Sequence, residues 1–162
     1  MPKNARVFVN EFLKKYLERE AKMAIFPELT WFEELCNKLN QDEQYNRIAQ
    51  KWEGDFLFTI EPGGAITQPI HAYIDLWHGK CRSVKEITNP EEVKTAFVLS
   101  ASYPNYVALL KGNVDPMQAM LTRKIKVQGN MAVLMRNIPT VLDFVRCCRE
   151  VTGGFLGEAV EK

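Results

Sequence analysis

The amino-acid sequence predicts an α+β fold in a single domain of 162 residues. Three observations support this class. Apolar residues recur at helical spacing near both ends of the chain, apolar and polar residues alternate in its middle, and one short alternating segment stands alone further on. With 46% hydrophobic residues, a chain of this length can bury one core.

The N-terminal third is predicted to be helical. An amphipathic helix is expected from about residue 5 to residue 23, because apolar residues recur at helical spacing: Val9, Phe12, Leu13, Tyr16 and Leu17. Pro27 ends this helix, and Thr30 with Glu33 has the spacing of a capping box that would begin a second one. Asp42 is predicted to cap a third helix.

The middle of the chain predicts a meander of strands. Residues 55–61 and 70–77 alternate between apolar and polar side chains. His78-Gly79 fits a two-residue hairpin turn that would lead into a third strand over residues 80–86. Residues 89–100 carry both a helix-start signal and a buried-strand signal, and a short helical turn followed by a strand would satisfy both.

Helices with clear end signals fill most of the last third. They are predicted from Pro104 to Gly112, from Asp115 to Thr122, from Met131 to Arg136, and from Pro139 through Cys148 to an end near Gly153-Gly154. Between them, residues 124–128 alternate like a strand. A strand this short cannot bury its apolar face alone, so we expect it to join the edge of the preceding sheet.

The charge balance excludes several classes of protein. There are 21 basic and 20 acidic residues, which gives no overall field to attract nucleic acid. The chain shows neither a signal-peptide pattern nor an apolar run long enough to span a bilayer. We therefore expect a cytoplasmic protein without a nucleic-acid partner.

The four cysteines lack the spacing of a zinc site and the density of a secreted disulfide scaffold: Cys36, Cys81, Cys147 and Cys148. Reduced thiols are the expectation. An alternative places nucleophilic or zinc chemistry near the first hairpin, with His71, Asp75, His78 and Cys81. His71 and Asp75 share a strand face while His78 lies in the turn, so a convergent site would require an unusual bend.

The segment Lys124-Ile125-Lys126-Val127-Gln128-Gly129-Asn130 carries a family resemblance. Together with the Asp-Pro helix before it and the apolar helix after it, this segment resembles the sterol carrier protein-2 (SCP2) family, and the similarity extends from about Trp52 to Pro139. Arg123 departs from the pattern, because the family commonly has glycine there, which leaves the shape of this turn open. The C-terminal residues do not form a peroxisomal Ser-Lys-Leu signal.

The resemblance implies a specific architecture and activity. It implies an SCP2-like five-stranded mixed sheet: a three-strand antiparallel meander, a crossover, and two further strands. Helices cover one face of the sheet, in addition to the extra N-terminal helices, and residues 95–100 form a strand. It also implies an apolar tunnel that binds fatty acids, fatty acyl-CoA or sterol-like lipids. Family members carry lipid without catalysis, so no catalytic residue, metal or cofactor is expected.

The residues expected to contact lipid lie on the inward strand faces and the later helices: Phe56, Phe58, Ile74, Leu76, Val107, Leu110, Met117, Met120, Leu121, Ile125, Val127, Met131, Leu134 and Met135. Four of the six methionines are in the two helices that flank residues 124–128. Their unbranched, polarizable side chains would adapt to ligands of varying shape, although such residues are also common core filler.

The predicted organisation is an N-terminal helical extension over residues 1–30, the lipid-binding domain over 31–153, and a tail over 154–162. The N-terminal helix is a candidate for a tunnel lid, for pairing two subunits into a homodimer, or for transient membrane contact. An alternative function is a protein-interaction or regulatory module that has the same fold with a small cavity.

Overall fold

The computed structural model describes residues 10–15 and 24–158. Residues 10–15 are helical and exposed, as the periodicity predicts. The rest of the predicted first helix, over residues 5–9 and 16–23, lies outside the described residues.

The described elements are a mixture of helices and strands. The first half comprises β1 (Ala24–Phe26), α1 (Leu29–Gln41), α2 (Glu43–Ile48), β2 (Glu53–Glu61), β3 (Ile70–Trp77) and β4 (Lys80–Ile87). A short 3₁₀ turn (Pro90–Glu92) leads into the second half, which comprises β5 (Phe97–Ser102), α3 (Tyr103–Leu110), α4 (Pro116–Leu121), β6 (Lys126–Gln128), α5 (Met131–Arg136), α6 (Ile138–Val151) and β7 (Thr152–Phe155).

Five strands form one mixed sheet in the order β4-β3-β2-β5-β6. The neighbours β2, β3 and β4 pair antiparallel, β5 joins β2 in parallel after a crossover, and β6 pairs antiparallel at the far edge of β5. This arrangement confirms the predicted α+β class and the mixed five-stranded sheet. The ambiguous segment 89–100 contains both a helical turn and the start of a strand, so both of its signals were correct.

The hairpin between β3 and β4 is as predicted. His78 and Gly79 have φ angles of 49° and 78°, the left-handed pair of a type I′ turn. The Asn46 amide donates to the Gly79 carbonyl at 2.6 Å, and a side chain at position 79 would meet the Asn46 backbone. Glycine is therefore required here both for its φ angle and for the close approach of α2.

The predicted helix caps are confirmed with one exception. The Asp42, Asp115 and Asn130 side chains accept hydrogen bonds from the first-turn amides of α2, α4 and α5. The capping box at Thr30 was wrong. The Glu28 carbonyl accepts from the Trp31 amide at 2.9 Å, so the helix begins before Thr30 and places it inside the first turn.

The turn before β6 keeps its shape without glycine. Arg123 has φ 58°, in the left-handed region that glycine occupies without strain. The Arg123 amide donates to the Met120 carbonyl at 3.2 Å, and the Ile125 amide donates to the Ala119 carbonyl at 3.0 Å. A non-glycine residue here carries some backbone strain.

The strands β1 and β7 pair in parallel as a separate two-stranded sheet. The Trp31 indole, at the start of α1, donates to the Thr152 hydroxyl at 2.9 Å. Residues 24–26, within the predicted helical extension, are thus a strand, and residues 154–155 of the predicted tail belong to β7. The boundaries at residues 30 and 153 remain a prediction.

Two of the four cysteines form a disulfide. Cys36 on α1 is bonded to Cys81 on β4, with their Cα atoms 5.3 Å apart. The expectation of four reduced thiols was therefore wrong for this pair, because α1 packs beside β4 and brings together two residues that are 45 positions apart. Cys147 and Cys148 are free and buried.

The helices cover one face of the sheet, which we call the inner face. Strand residues on this face are buried, for example Phe56, Ile74 and Phe97, while the outer face carries polar residues such as Asp55 and Asp75 around the buried Leu57. Among the described residues, no helix combines the length and the apolar character needed to cross a membrane.

Candidate functional site

An apolar cavity of about 100 Å³ lies between the inner face of the sheet and the helices that cover it. The sheet contributes Phe56, Phe58, Ile60, Ile74, Leu76 and Leu99. The remaining lining comes from β1, the helices and their connections: Phe26, Trp31, Phe32, Leu35, Tyr45, Trp52, Tyr106, Leu109, Leu110, Pro116, Met120, Ile125, Leu134, Thr140, Val141, Phe144, Val145 and Cys148. The surface that these described residues present to the cavity is apolar.

The strand register explains the apolar floor. Alternate residues of a strand face the same side, and paired residues on adjacent strands share that side. Phe56 pairs with Ile74 on β3, and Phe58 pairs with Leu99 on β5. Three adjacent strands thus place their apolar residues in register under the helices.

Stacked aromatic rings form one wall of the cavity. The Phe144 ring on α6 stacks on Phe58 with centroids 6.0 Å apart, and on Phe56 at 6.4 Å. Trp52 stacks on the other side of Phe56 at 5.7 Å. Such offset ring pairs stabilise a wall beyond what their buried area alone contributes.

The polar groups in the lining are held neutral or hydrogen-bonded. The Tyr106 hydroxyl donates to the Leu99 carbonyl at 2.8 Å, and burial raises the pKa of Tyr106 well above its ordinary value. Burial also raises the pKa of Tyr45 and of the Cys148 thiol. These groups stay uncharged near neutral pH, so the cavity favours an uncharged, apolar guest.

An ion-pair group that we call the Arg146 clamp fixes α6 against the junction of α1 and α2. Arg146 donates to Asp42 at 2.7 Å through Nη2 and to Asp143 at 2.8 Å through Nε. The Gln44 amide donates to Asp143 at 2.7 Å. The Arg146 guanidinium holds the pKa of Asp42 well below its ordinary value. Val145, next to Arg146 in the chain, lines the cavity, so the clamp helps to position the part of α6 that covers the cavity.

The clamp also accounts for one cluster of metal-type ligands. Donor atoms of Asp42, Asp143 and Cys147 lie within 4.8 Å of one another. Both carboxylates already bind the Arg146 guanidinium, and burial raises the pKa of Cys147 to about 12. A thiol that stays protonated, next to two carboxylates that are already paired with the Arg146 guanidinium, does not suit a metal ion.

The structure places eight of the fourteen predicted lipid-contacting residues in the cavity lining: Phe56, Phe58, Ile74, Leu76, Leu110, Met120, Ile125 and Leu134. The other six lie outside it: Val107, Met117, Leu121, Val127, Met131 and Met135. Lipid contact by any of them stays a prediction.

Most of the six residues outside the cavity lining are on short helices. The helices α4 and α5 are six residues long, so only one side of each can face the core. In α5 that side is Leu134, which is 4% exposed, whereas Met131 and Met135 are 42% and 47% exposed. Val107 is buried but lines a separate surface groove beside Tyr103.

The residues considered for nucleophilic or zinc chemistry do not converge. His71 Nδ1 lies 3.0 Å from Thr59 Oγ1 on the outer face of the sheet. His78 Nε2 lies 2.8 Å from Glu53 Oε1 in the exposed hairpin. Cys81 is on the inner side, paired with Leu76, and is bonded to Cys36. Within the described residues these groups form no common site.

Sequence reasoning missed the contribution of the long helices. Trp31, Phe32 and Leu35 on α1 line the cavity, as do Phe144 and Val145 on α6. Both helices are amphipathic, and their apolar faces were the available signal. Periodicity indicates that such faces are buried, without showing that they line a cavity.

A family model described as the SCP-2 sterol transfer family matches residues 32–141. A crystal structure of sterol carrier protein 2 has a TM-score of 0.70 and 28% sequence identity, covering 77% of this chain and 100% of that chain. The solution structure of a conserved hypothetical protein from Thermus thermophilus, described as possibly a sterol carrier protein, also has a TM-score of 0.70 and 28% identity, covering 80% of this chain and 91% of that chain.

The sterol carrier protein domain 2 of Helicoverpa armigera shares the fold at 23% identity, with a TM-score of 0.53 over 72% of this chain and 84% of that chain. No curated protein matches the sequence significantly. The family match spans more than half of the chain and covers the whole five-stranded sheet, most of α1, and α2 to α5. The chain therefore belongs to the SCP-2 sterol transfer family, whose members bind and transfer lipids.

Proposed function

We propose that this protein is a non-catalytic cytoplasmic carrier that binds fatty acids, fatty acyl-CoA or sterol-like lipids in the apolar cavity. The observation that carries the proposal is the cavity itself, enclosed between the inner face and α1, α3 and α6 and presenting apolar surface. Membership of the SCP-2 sterol transfer family supports the same class of ligand.

Apolar burial is sufficient to hold such a ligand. A sixteen-carbon chain buries roughly 15 methylenes at about 0.8 kcal/mol each, or about 12 kcal/mol gross, against an association cost of about 4–15 kcal/mol. Micromolar affinity is reachable at the low end of that cost. Selectivity should be loose, because apolar burial is non-directional and each methylene discriminates by about 1–3 kcal/mol.

The cavity must widen to take a whole lipid. Its 100 Å³ is below the roughly 300–1000 Å³ of pockets that hold drug-sized ligands. Met120 and Val141 in the lining are only partly buried and lie on α4 and at the start of α6. We infer that these segments move outward when a ligand enters, and the flexible Met120 side chain suits such movement.

The small volume also favours the second candidate, a protein-interaction or regulatory module. In that case the cavity would stay closed and no lipid would co-purify. The two candidates differ in one measurable property, which is stoichiometric binding of a hydrophobic ligand in solution.

The decisive experiment is native mass spectrometry of freshly purified protein, followed by extraction of the co-purifying ligand and competition with a fluorescent fatty acid. Leu99→Trp would fill the cavity from β5, and Val98→Trp is its matched control because Val98 faces the outer side of the same strand. Met120→Trp repeats the blockage at a more adaptable site. We expect the two cavity variants to lose ligand and V98W to retain it.

Equal ligand binding by L99W, M120W and V98W, all folded by circular dichroism, would contradict the proposal. Absence of any hydrophobic ligand from the wild-type protein, with no binding in competition, would favour the interaction module instead.

The Cys36–Cys81 pair provides a check on location. Glutathione keeps most cytosolic thiols reduced, whereas an oxidising compartment would preserve the disulfide. The structure holds this pair as a disulfide, so thiol labelling of the protein in rapidly quenched cells tests the assignment: free sulfurs would support a cytoplasmic location, and a protected pair would contradict it.

A further inference from the structure

Four large apolar side chains are exposed on α4, α5 and the start of α6, and we call this surface the α4–α6 face: Leu121, Met131, Met135 and Leu142. Leu121 is 74% exposed, and the other three are 40–47% exposed. Three of these residues follow cavity-lining residues directly in the chain, namely Met120, Leu134 and Val141. The same short elements therefore bound the cavity on one side and carry this apolar surface to solvent.

The charge around this face is strongly positive. Residues 111–142 contain five basic residues and one acidic residue, whereas the rest of the chain contains 16 basic and 19 acidic residues. Four of the five basic residues are exposed in this stretch: Arg123, Lys124 and Arg136 on or beside α4 and α5, and Lys126 on β6, where its pairing with Ser100 directs it to the outer face of the sheet. The ion pairs among the described residues use other cations, such as Lys111, which binds Glu158 at 2.8 Å. These four cations are thus available to an anionic partner.

We propose that the α4–α6 face docks the protein on an anionic lipid bilayer, so that lipid passes between the membrane and the cavity beside Met120. This inference rests on the proposed carrier function. Exposed Leu and Met side chains beside basic residues have the composition of interfacial membrane-binding surfaces, in which the apolar groups insert and the cations contact lipid headgroups.

A second copy of this chain fits the surface less well. Two such faces brought together would oppose basic residues to basic residues, and like charges across an interface destabilise association. A bilayer containing anionic lipid offers the complementary charge and an apolar phase together.

The test is co-sedimentation of the full chain with vesicles of phosphatidylcholine alone and of equal parts phosphatidylcholine and phosphatidylserine. We expect binding to the mixed vesicles and weak binding to phosphatidylcholine. The variant K124Q/R136Q should lower the partition coefficient about 25-fold, because each basic residue near an anionic membrane contributes about a fivefold factor. The variant L121Q should lower it about tenfold, since it loses an inserted apolar side chain.

Matched controls lie elsewhere on the surface. K51Q/K85Q removes two exposed lysines outside the α4–α6 face, and Lys85 is on β4, at the opposite edge of the sheet from β6. L29Q replaces an apolar residue that is 41% exposed at the start of α1. We expect both controls to partition like the wild-type protein.

Equal binding to the two kinds of vesicle, absence of binding to either, or equal partitioning of K124Q/R136Q and K51Q/K85Q would overturn the proposal. So would sedimentation velocity showing a dimer that L121Q dissociates, because the face would then pair two copies. Fatty-acid competition without vesicles separates membrane docking from the carrier function. The docking variants should bind the fatty acid as the wild-type protein does. A wild-type protein that binds vesicles but no fatty acid would contradict the carrier function and leave the docking result standing.

Discussion

Removal of the Arg146 guanidinium should destabilise the protein mainly through Asp143. In Arg146→Gln, Asp42 keeps its ion pair with Lys38 at 3.1 Å and its cap on α2. Asp143, whose side chain is 6% exposed, keeps only the hydrogen bond from Gln44. A buried carboxylate would thus lose the cation that balances it.

The expected magnitude follows from burial. Breaking a fully buried ion pair costs about 3–5 kcal/mol, because the remaining charge is left uncompensated. The Arg146 side chain is 30% exposed, so solvent screens part of this interaction. We therefore expect R146Q to lower the free energy of unfolding by about 2–3 kcal/mol. The double variant D143N/R146Q removes the buried charge as well and should recover at least about 1 kcal/mol of that loss.

Urea denaturation at pH 7, followed by circular dichroism, measures both values, provided that the m-value is unchanged. The reasoning would be refuted if R146Q lost less than about 0.5 kcal/mol, or if D143N/R146Q were no more stable than R146Q. Either result would mean that solvent, and not the guanidinium, compensates the Asp143 charge.

Three further predictions concern stability. The folded-state pKa of Asp42 is lowered from its ordinary value of 3.8, chiefly by its hydrogen bond from Arg146. The stability that the ionised Asp42 contributes is therefore present at neutral pH and is lost progressively as the pH falls below about 5. The urea midpoint of the wild type should drop between pH 7 and pH 3 by more than that of R146Q. Arg123→Gly should raise the free energy of unfolding by about 0.5–1 kcal/mol, since glycine adopts φ 58° without strain, and a lower melting temperature would contradict this. Gly129→Ala should cost about 2–4 kcal/mol, because its φ is 136° and the new Cβ would lie 2.6 Å from the Ala96 carbonyl oxygen; unchanged urea stability would show that the turn relaxes freely.

Local signals in the sequence predicted most of the elements. Strand β3 begins and ends where the alternation does, at Ile70 and Trp77, and the hairpin at His78-Gly79 needs only its own two residues. The caps at Asp42 and Asp115 likewise depend on side chains within three residues of the amides that they bind. These features were predictable because the interactions that fix them join residues that are close together in the sequence.

Features that depend on packing were not predictable in the same way. The Cys36–Cys81 bond joins α1 to β4 across 45 residues, and nothing in the spacing of the two cysteines indicates it. The helices α4 and α5 are apolar almost all round, so periodicity could not separate Leu134, in the cavity lining, from Met135 beside it in solvent. The cavity is a property of how far the helices stand from the sheet, which no local pattern encodes.

The parallel pairing of β1 with β7 sets when the cavity can first exist. Ala24 pairs with Thr152, so this contact closes a loop that contains nearly the whole domain, and the entropy of closing so long a loop delays it. Trp31, which lines the cavity, has its indole partner in Thr152. During synthesis the cavity should therefore remain open beside Trp31 until β7 has left the ribosome. A nascent chain that lacks β7 should be unable to retain a lipid.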